Sequence, residues 1–243
     1  MATISELFDL AVRNYQSGNA HQAEALCRQV LQGEPAHDGA HHMLGVLEHR
    51  AGHPEAAMTL IRQAIALNPM NADCHFNLGI ILMSQGRTAE AIACYRQALR
   101  INAYHDESYN NLGNALRDQG QLAEAILCYR HATRINPRSA TAHYNLGNAL
   151  KDQGEVAEAA LCYRRTLDCD PRHADAFNNL GVTFLDQGKR AEAIECYRQA
   201  LRHNPQHADA HNNLGSALME QGNIIEATHS YRQALRANPL LAA

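Results

Sequence analysis

The sequence predicts an all-α protein made of seven stacked antiparallel helix pairs, and three columns of recurring residues carry that expectation. Written in rows of 34 from Ile4, the 243 residues align Leu10, Leu44, Leu78, Leu112, Leu146, Leu180 and Leu214. The same rows align Gly18, Gly52, Gly86, Gly120, Gly154, Gly188 and Gly222, and also Ala23, Ala57, Ala91, Ala125, Ala159, Ala193 and Ala227. A fourth column, Pro35, Pro69, Pro137, Pro171, Pro205 and Pro239, is interrupted by Ala103. The rows run 4–37, 38–71, 72–105, 106–139, 140–173, 174–207 and 208–241, so residues 1–243 read as a single solenoid with no room for another domain.

Each row then justifies its elements in order. Thr3 and Glu6 form a capping-box pattern that opens the first helix. At about 100° per residue, row positions 4, 7, 8 and 11 fall on one side of a first helix, helix A. In the fourth row these are Tyr109, Leu112, Gly113 and Leu116. The glycine at position 15 supplies the backbone angle that ends helix A. Positions 20, 24 and 27, such as Ala125, Tyr129 and Ala132, make the buried stripe of helix B. Proline at position 32 stops it. One hairpin is too small to bury its own apolar face, so neighbours must stack.

Leu-Gly at positions 7 and 8, Ala at 20, Tyr at 24, Ala at 27 and Pro at 32 resemble the tetratricopeptide repeat. The first row departs most, with Ala11, Cys27 and Val30 at positions 8, 24 and 27. The resemblance implies a right-handed superhelical solenoid of seven tetratricopeptide repeats, with helix A on the concave side. It also implies work as a protein-binding scaffold. Within the repeats, Asn-Asn-Leu-Gly at Asn110 to Gly113, Asn178 to Gly181 and Asn212 to Gly215, together with Cys-Tyr-Arg in helix B, is similar to the superhelix of protein O-GlcNAc transferases and their bacterial relatives. In that family an asparagine ladder binds substrate peptides, with aspartates beside it. The matching residues are Asn77, Asn111, Asn145, Asn179 and Asn213, with Asp118, Asp152 and Asp186. The family's glycosyltransferase domain does not occur in this sequence. Co-chaperones that clamp acidic tails need basic residues at positions 2 and 6, where this chain has acids and asparagines.

With helix A concave, its outward positions 2, 6, 9 and 13 form the candidate binding face. Asparagine fills position 6 from Asn77 to Asn213, and Asn110, Asn178 and Asn212 stand beside it at position 5. A carboxamide both donates and accepts, which suits the N–H and C=O groups of an extended peptide. Helices about 9–10 Å apart would set one asparagine against roughly every third residue of a strand rising about 3.3 Å per residue. Asp118, Asp152, Asp186 and Glu220 at position 13, with Asp73, Glu107, Asp175 and Asp209 at position 2, make the face acidic. The expected partners are other proteins or extended peptides, basic or rich in Ser and Thr, lying along the third to seventh repeats. Two other readings are a substrate-recruiting arm of a glycosyltransferase, and self-assembly through an uncapped C-terminal repeat that ends in Leu240, Leu241, Ala242 and Ala243.

Other features narrow the field. A formal charge of -4 argues against nucleic acid and anionic membranes as partners. No apolar run has the length of a signal peptide or a membrane span, which leads to a cytoplasmic expectation. Cys94, Cys128, Cys162 and Cys196 recur at one repeat position and are expected to be reduced. His41, His75, His143 and His211 share position 4, where bulky packing residues are expected rather than metal ligands. Arg28, Arg62, Arg96, Arg130, Arg164, Arg198 and Arg232 make the helix B side basic, as a solvated face or a lattice of ion pairs. With no nucleophile–base pair and no phosphate loop, neither catalysis nor a cofactor is expected of this chain.

Overall fold

The computed structural model describes residues 2–238. Met1 and Pro239 to Ala243 lie outside the described residues, and with them the C-terminal end on which the self-assembly reading rests. Among the described residues there are fourteen α-helices. Helices A are α1 (Ile4–Gln16), α3 (Asp38–Arg50), α5 (Ala72–Ser84), α7 (Asp106–Asp118), α9 (Ala140–Asp152), α11 (Ala174–Asp186) and α13 (Ala208–Glu220). Helices B are α2 (Ala20–Gly33), α4 (Pro54–Leu67), α6 (Thr88–Ile101), α8 (Leu122–Ile135), α10 (Val156–Cys169), α12 (Arg190–His203) and α14 (Ile224–Ala237). Every helix A therefore opens on the first residue of its row.

The helices gather into two compact units, Met1–Gln119 and Gly120–Ala243. In the first, each helix packs on the next from α1 to α7, and α3 with α5 and α5 with α7 also touch. In the second, the sequential packing runs from α8 to α14, and α11 touches α13. Helices A thus crowd together on one side of each unit.

Local chemistry sets the ends. Thr3 accepts from the Glu6 amide while the Glu6 carboxylate accepts from the Thr3 amide, the expected capping box. The position-15 glycines all have φ between 72° and 88°, a region costly for residues with a Cβ. After Gly18, Gly52, Gly86, Gly154, Gly188 and Gly222 the position-16 amide closes back on position 11, as Glu155 N does on Leu150 O at 2.8 Å. Proline is not what stops helix B. Helix α6, followed by Ala103, ends at Ile101 like its equivalents. The shared device is the polar residue at position 31, which caps the helix and folds into a side-chain turn: Asn102, Asn136, Asp170 and Asn204 each accept from the amide two residues on. Position 34 then caps the next helix A. His37, His105, His173 and His207 do so by accepting an amide proton on Nδ1.

The core corrects one expectation. Position 4 is half-buried rather than part of the packed stripe, and positions 3 and 10 take its place: Ala40, Cys74, Ser108, Ala142, Ala176 and Ala210 at the first, Leu47, Ile81, Ala115, Ala149, Thr183 and Ala217 at the second. The reason is that helix A packs on its own helix B and on the preceding one, so its buried sector is wider than a single stripe and centred on position 7. The position-4 histidines, in the first turn of helix A, stay half-buried, and His41, His75, His143 and His211 each donate from Nε2 to the carbonyl of the preceding proline at 2.9–3.1 Å. In helix B, Tyr95, Tyr129, Tyr163 and Tyr197 are wholly buried at position 24. Leu10 is 44% exposed, unlike its column, because no helix B precedes α1.

Candidate peptide-binding faces

In the first unit the outward side of helices A carries Asn77 and Asn111, both half-buried. Asn77 Nδ2 donates to His42 Nε2 at 2.8 Å. His42 therefore accepts on that nitrogen as a neutral imidazole, and burial holds its pKa below the ordinary value. Asn111 accepts from Asn110 Nδ2 at 3.3 Å and lines a small cleft with Tyr95. Between the same helices lies a cavity of about 480 Å³. Phe8, Tyr15, Met43, Val46 and Phe76 give it apolar walls, while His42, Asn77, Asp73, His105 and Glu107 add polar groups. The cavity draws on positions 2, 6 and 9 of the expected binding face and on positions 5, 12 and 34, which lie outside that set.

In the second unit Asn145, Asn179 and Asn213 occupy the same side, again half-buried. Asn213 Nδ2 donates to Asn178 Oδ1 at 3.0 Å. Asn178 Nδ2 donates to Asn179 Oδ1 at 3.2 Å. Asn179 Nδ2 in turn reaches Asn148 Oδ1 at 2.9 Å and Tyr144 Oη at 3.3 Å. The rule behind this chain is a contact between position 6 of one hairpin and position 5 of the hairpin before it, also made by Asn77 on His42. Asn178, expected beside the ladder, is only 7% exposed and uses both ends of its amide as a strut. Asn110 and Asn212 stay half-buried. The hub Asn148 stands at position 9, which the sequence placed on the outward face without singling this residue out. Its signal was helical spacing, one turn after Tyr144 and one repeat before Val182.

Asp118, Asp152 and Asp186 are exposed at the ends of their helices. Glu220 is exposed too, and pairs with Arg190 at 2.7 Å. Of the position-2 acids, Asp73 accepts from His105 Nε2 at 3.1 Å. Asp175 lies 3.0 Å from His207 Nε2 but outside hydrogen-bond alignment. On the other side, Arg130 pairs with Glu158 and Arg198 with Glu226, one repeat on, while Arg164 covers the Phe184 ring.

The remaining chemistry points away from reactive side chains. Cys27, Cys74, Cys162 and Cys196 are buried and free. Burial pushes Cys74 up to about 12 and the other three up to about 11, the reverse of an activated thiol. Among the described residues no three His, Cys, Asp or Glu side chains gather where a metal ion would sit, and no helix is long and apolar enough to cross a membrane.

Helical hairpins that stack on a close-packed core and display a hydrogen-bonding helix A face define a helical-repeat binding protein. The chain belongs to the tetratricopeptide repeat family: models described as "Tetratricopeptide repeat" match residues 43–106, 178–242, 138–206 and 94–126, and one described as "TPR repeat" matches 113–154. Proteins of this family bind other proteins or peptides. Among solved structures, MamA is 26% identical with a TM-score of 0.63, covering 68% of this chain and 96% of its own. Pseudomonas aeruginosa pilF is 22% identical with a TM-score of 0.77, over 85% of this chain and 94% of its own. YrrB, described as a TPR protein with an unusual peptide-binding site, is 23% identical with a TM-score of 0.64, over 76% and 95%. The likeness to the last two is one of fold. No curated protein sequence matches the chain.

Proposed function

We propose that this protein holds extended segments of other polypeptides against its helix A faces and performs no chemistry on them. The observation that carries the reading is the state of the position-6 asparagines. A carboxamide has two N–H donors and an oxygen with two lone pairs. Asn77 and Asn213 each commit one donor to the hairpin before, which fixes the amide plane and leaves a donor and the oxygen for a ligand. A side chain held this way loses little further entropy when a peptide arrives. Asn178 serves as a positioning strut; Asn110 and Asn111 flank Asn77 in the first unit, and Asn145, Asn179 and Asn212 flank Asn213 in the second.

Peptide backbone is the ligand such amides fit, because they read N–H and C=O groups without regard to sequence. The exposed carboxylates of Asp118, Asp152, Asp186 and Glu220 favour peptides bearing Lys, Arg, Ser or Thr through charge-assisted bonds. The test is fluorescence anisotropy with labelled random octapeptides on a variant carrying Asn111→Ala, Asn145→Ala, Asn179→Ala and Asn213→Ala. Weakened binding with unchanged helicity is expected. Undiminished affinity would remove the ladder from the mechanism.

A further inference from the structure

The geometry points to a second recognition element in the first unit, a pocket that takes one long cationic side chain, arginine or lysine, of a bound polypeptide. This inference rests on the reading of the chain as a polypeptide holder, but not on the asparagine ladder.

The cavity of about 480 Å³ has two chemically distinct parts. Its walls, Phe8, Met43, Val46 and Phe76, are apolar, and its volume is that of a ligand pocket rather than a packing defect. At its edge stand Asp73 and Glu107, whose side chains remain 67% and 65% exposed. Asp73 is held by the buried His105, whose Nε2 donates to it while Nδ1 accepts from the Ser108 amide, so the carboxylate is oriented by a ring that is itself fixed. Both acids lie in the first turn of a helix, where the macrodipole alone would favour them. That explains their presence but not the apolar walls beside them.

An apolar stem ending in a positive head matches both parts. Methylene groups would lie along Met43 and Val46, the ring faces of Phe8 and Phe76 favour a cation, and the carboxylates receive its N–H groups. A neutral aliphatic anchor would fill the walls and leave the carboxylates unanswered, and an acidic one would be repelled. The pocket has a direction as well. Arg50 covers the Tyr15 ring at 5.6 Å, near the C-terminal ends of helices A, whereas the acids stand at their N-terminal ends.

Four pools of fluorescein-labelled octapeptides, random except for a fixed fourth residue, test the pocket by anisotropy on the full chain. The Arg and Lys pools should bind at least about tenfold tighter than the Leu and Glu pools. Asp73→Asn with Glu107→Gln should erase that preference while helicity stays unchanged, and Val46→Trp should occlude the pocket and weaken the Arg pool. The ladder variant should bind all pools less well yet keep the preference, which separates failure of the ladder from failure of the pocket. Equal binding of the Leu and Arg pools, a preference that survives loss of both acids, or no binding by any pool would each overturn the inference. Should Val46→Trp fail to fold, the double acid variant, altered only at exposed side chains, still decides.

Discussion

Tyr163 Oη donates to Asn148 Oδ1 at 2.8 Å, joining the buried ring of α10 to the polar side of α9. The same oxygen accepts from Asn179 of α11, so one amide ties three helices together. Tyr231 makes the equivalent bond to Ser216 at 3.1 Å. In the row between, position 9 is Val182, which has no polar group, and the Tyr197 hydroxyl is buried without a partner.

That contrast separates two chemically identical substitutions. Tyr163→Phe deletes a bond and leaves Asn148 with one donor fewer, which should cost about 0.5–1.5 kcal/mol. Tyr197→Phe removes only an unsatisfied hydroxyl and should be neutral or stabilising. Urea unfolding midpoints of the two variants should therefore move apart, and equal losses would contradict the hydrogen-bond assignment. Val182→Asn should make Tyr197→Phe as costly as Tyr163→Phe.

The two glycine columns should fail for different reasons. A Cβ on Gly147 would stand 2.8 Å from Tyr163 Cε1, inside contact distance, so Gly147→Ala should cost about 1–3 kcal/mol through overpacking. Gly154 has open space around it but a φ of 88°, and Gly154→Ala should cost about 1–2 kcal/mol of backbone strain. Asparagine tolerates the left-handed region, so Gly154→Asn should recover part of that loss, whereas Gly147→Asn should be worse than Gly147→Ala. Thermal melts of the four variants check the ordering.

Alkaline pH should weaken the fold. Burial raises the pKa values of Cys27, Cys74, Cys162 and Cys196, and of Tyr95, Tyr163 and Tyr197, above their ordinary values of 9.0 and 10.0. These acids are neutral when buried, so their contribution is complete below the ordinary values and is lost as pH rises through the raised ones. The urea midpoint should hold steady to about pH 8.5 and fall steadily above it. A flat profile to pH 11 would show that the groups are not buried in solution.

Arg130 and Glu158 pair at 2.8 Å with both side chains roughly half exposed. Solvent screening limits such a pair, and Arg130→Ala should cost under about 1 kcal/mol, less still at high salt. A loss several times larger would mean that the arginine stem packs as well as pairs.

Much of this architecture was legible before any coordinates. Thr3 and Glu6 announced the first cap, and each position-15 glycine announced the end of a helix A, because both signals act within a few residues. Reading position 4 as core failed where helix A meets two neighbours rather than one. Crediting proline with ending helix B failed because Asn102 does the same work in the one row where alanine replaces it. The position-6 asparagines were visible as a column, yet the commitment of Asn213 to Asn178, 35 residues earlier, was not.

The sequence by itself determined the repeat, its two helices and its residues of closest approach, since a 34-residue period repeats the same local turns and the same small-against-large contacts. Only the tertiary structure decided which amide hydrogens are already spent, that Asn178 is a buried strut, that Tyr197 lacks a partner, and that Phe8, Val46 and Phe76 line an open pocket edged by two carboxylates. The physical reason is that these depend on how one hairpin is offset against the next. That offset brings side chains of successive rows together, as Asn179 meets Asn148 and Asn213 meets Asn178, which no single row of residues expresses.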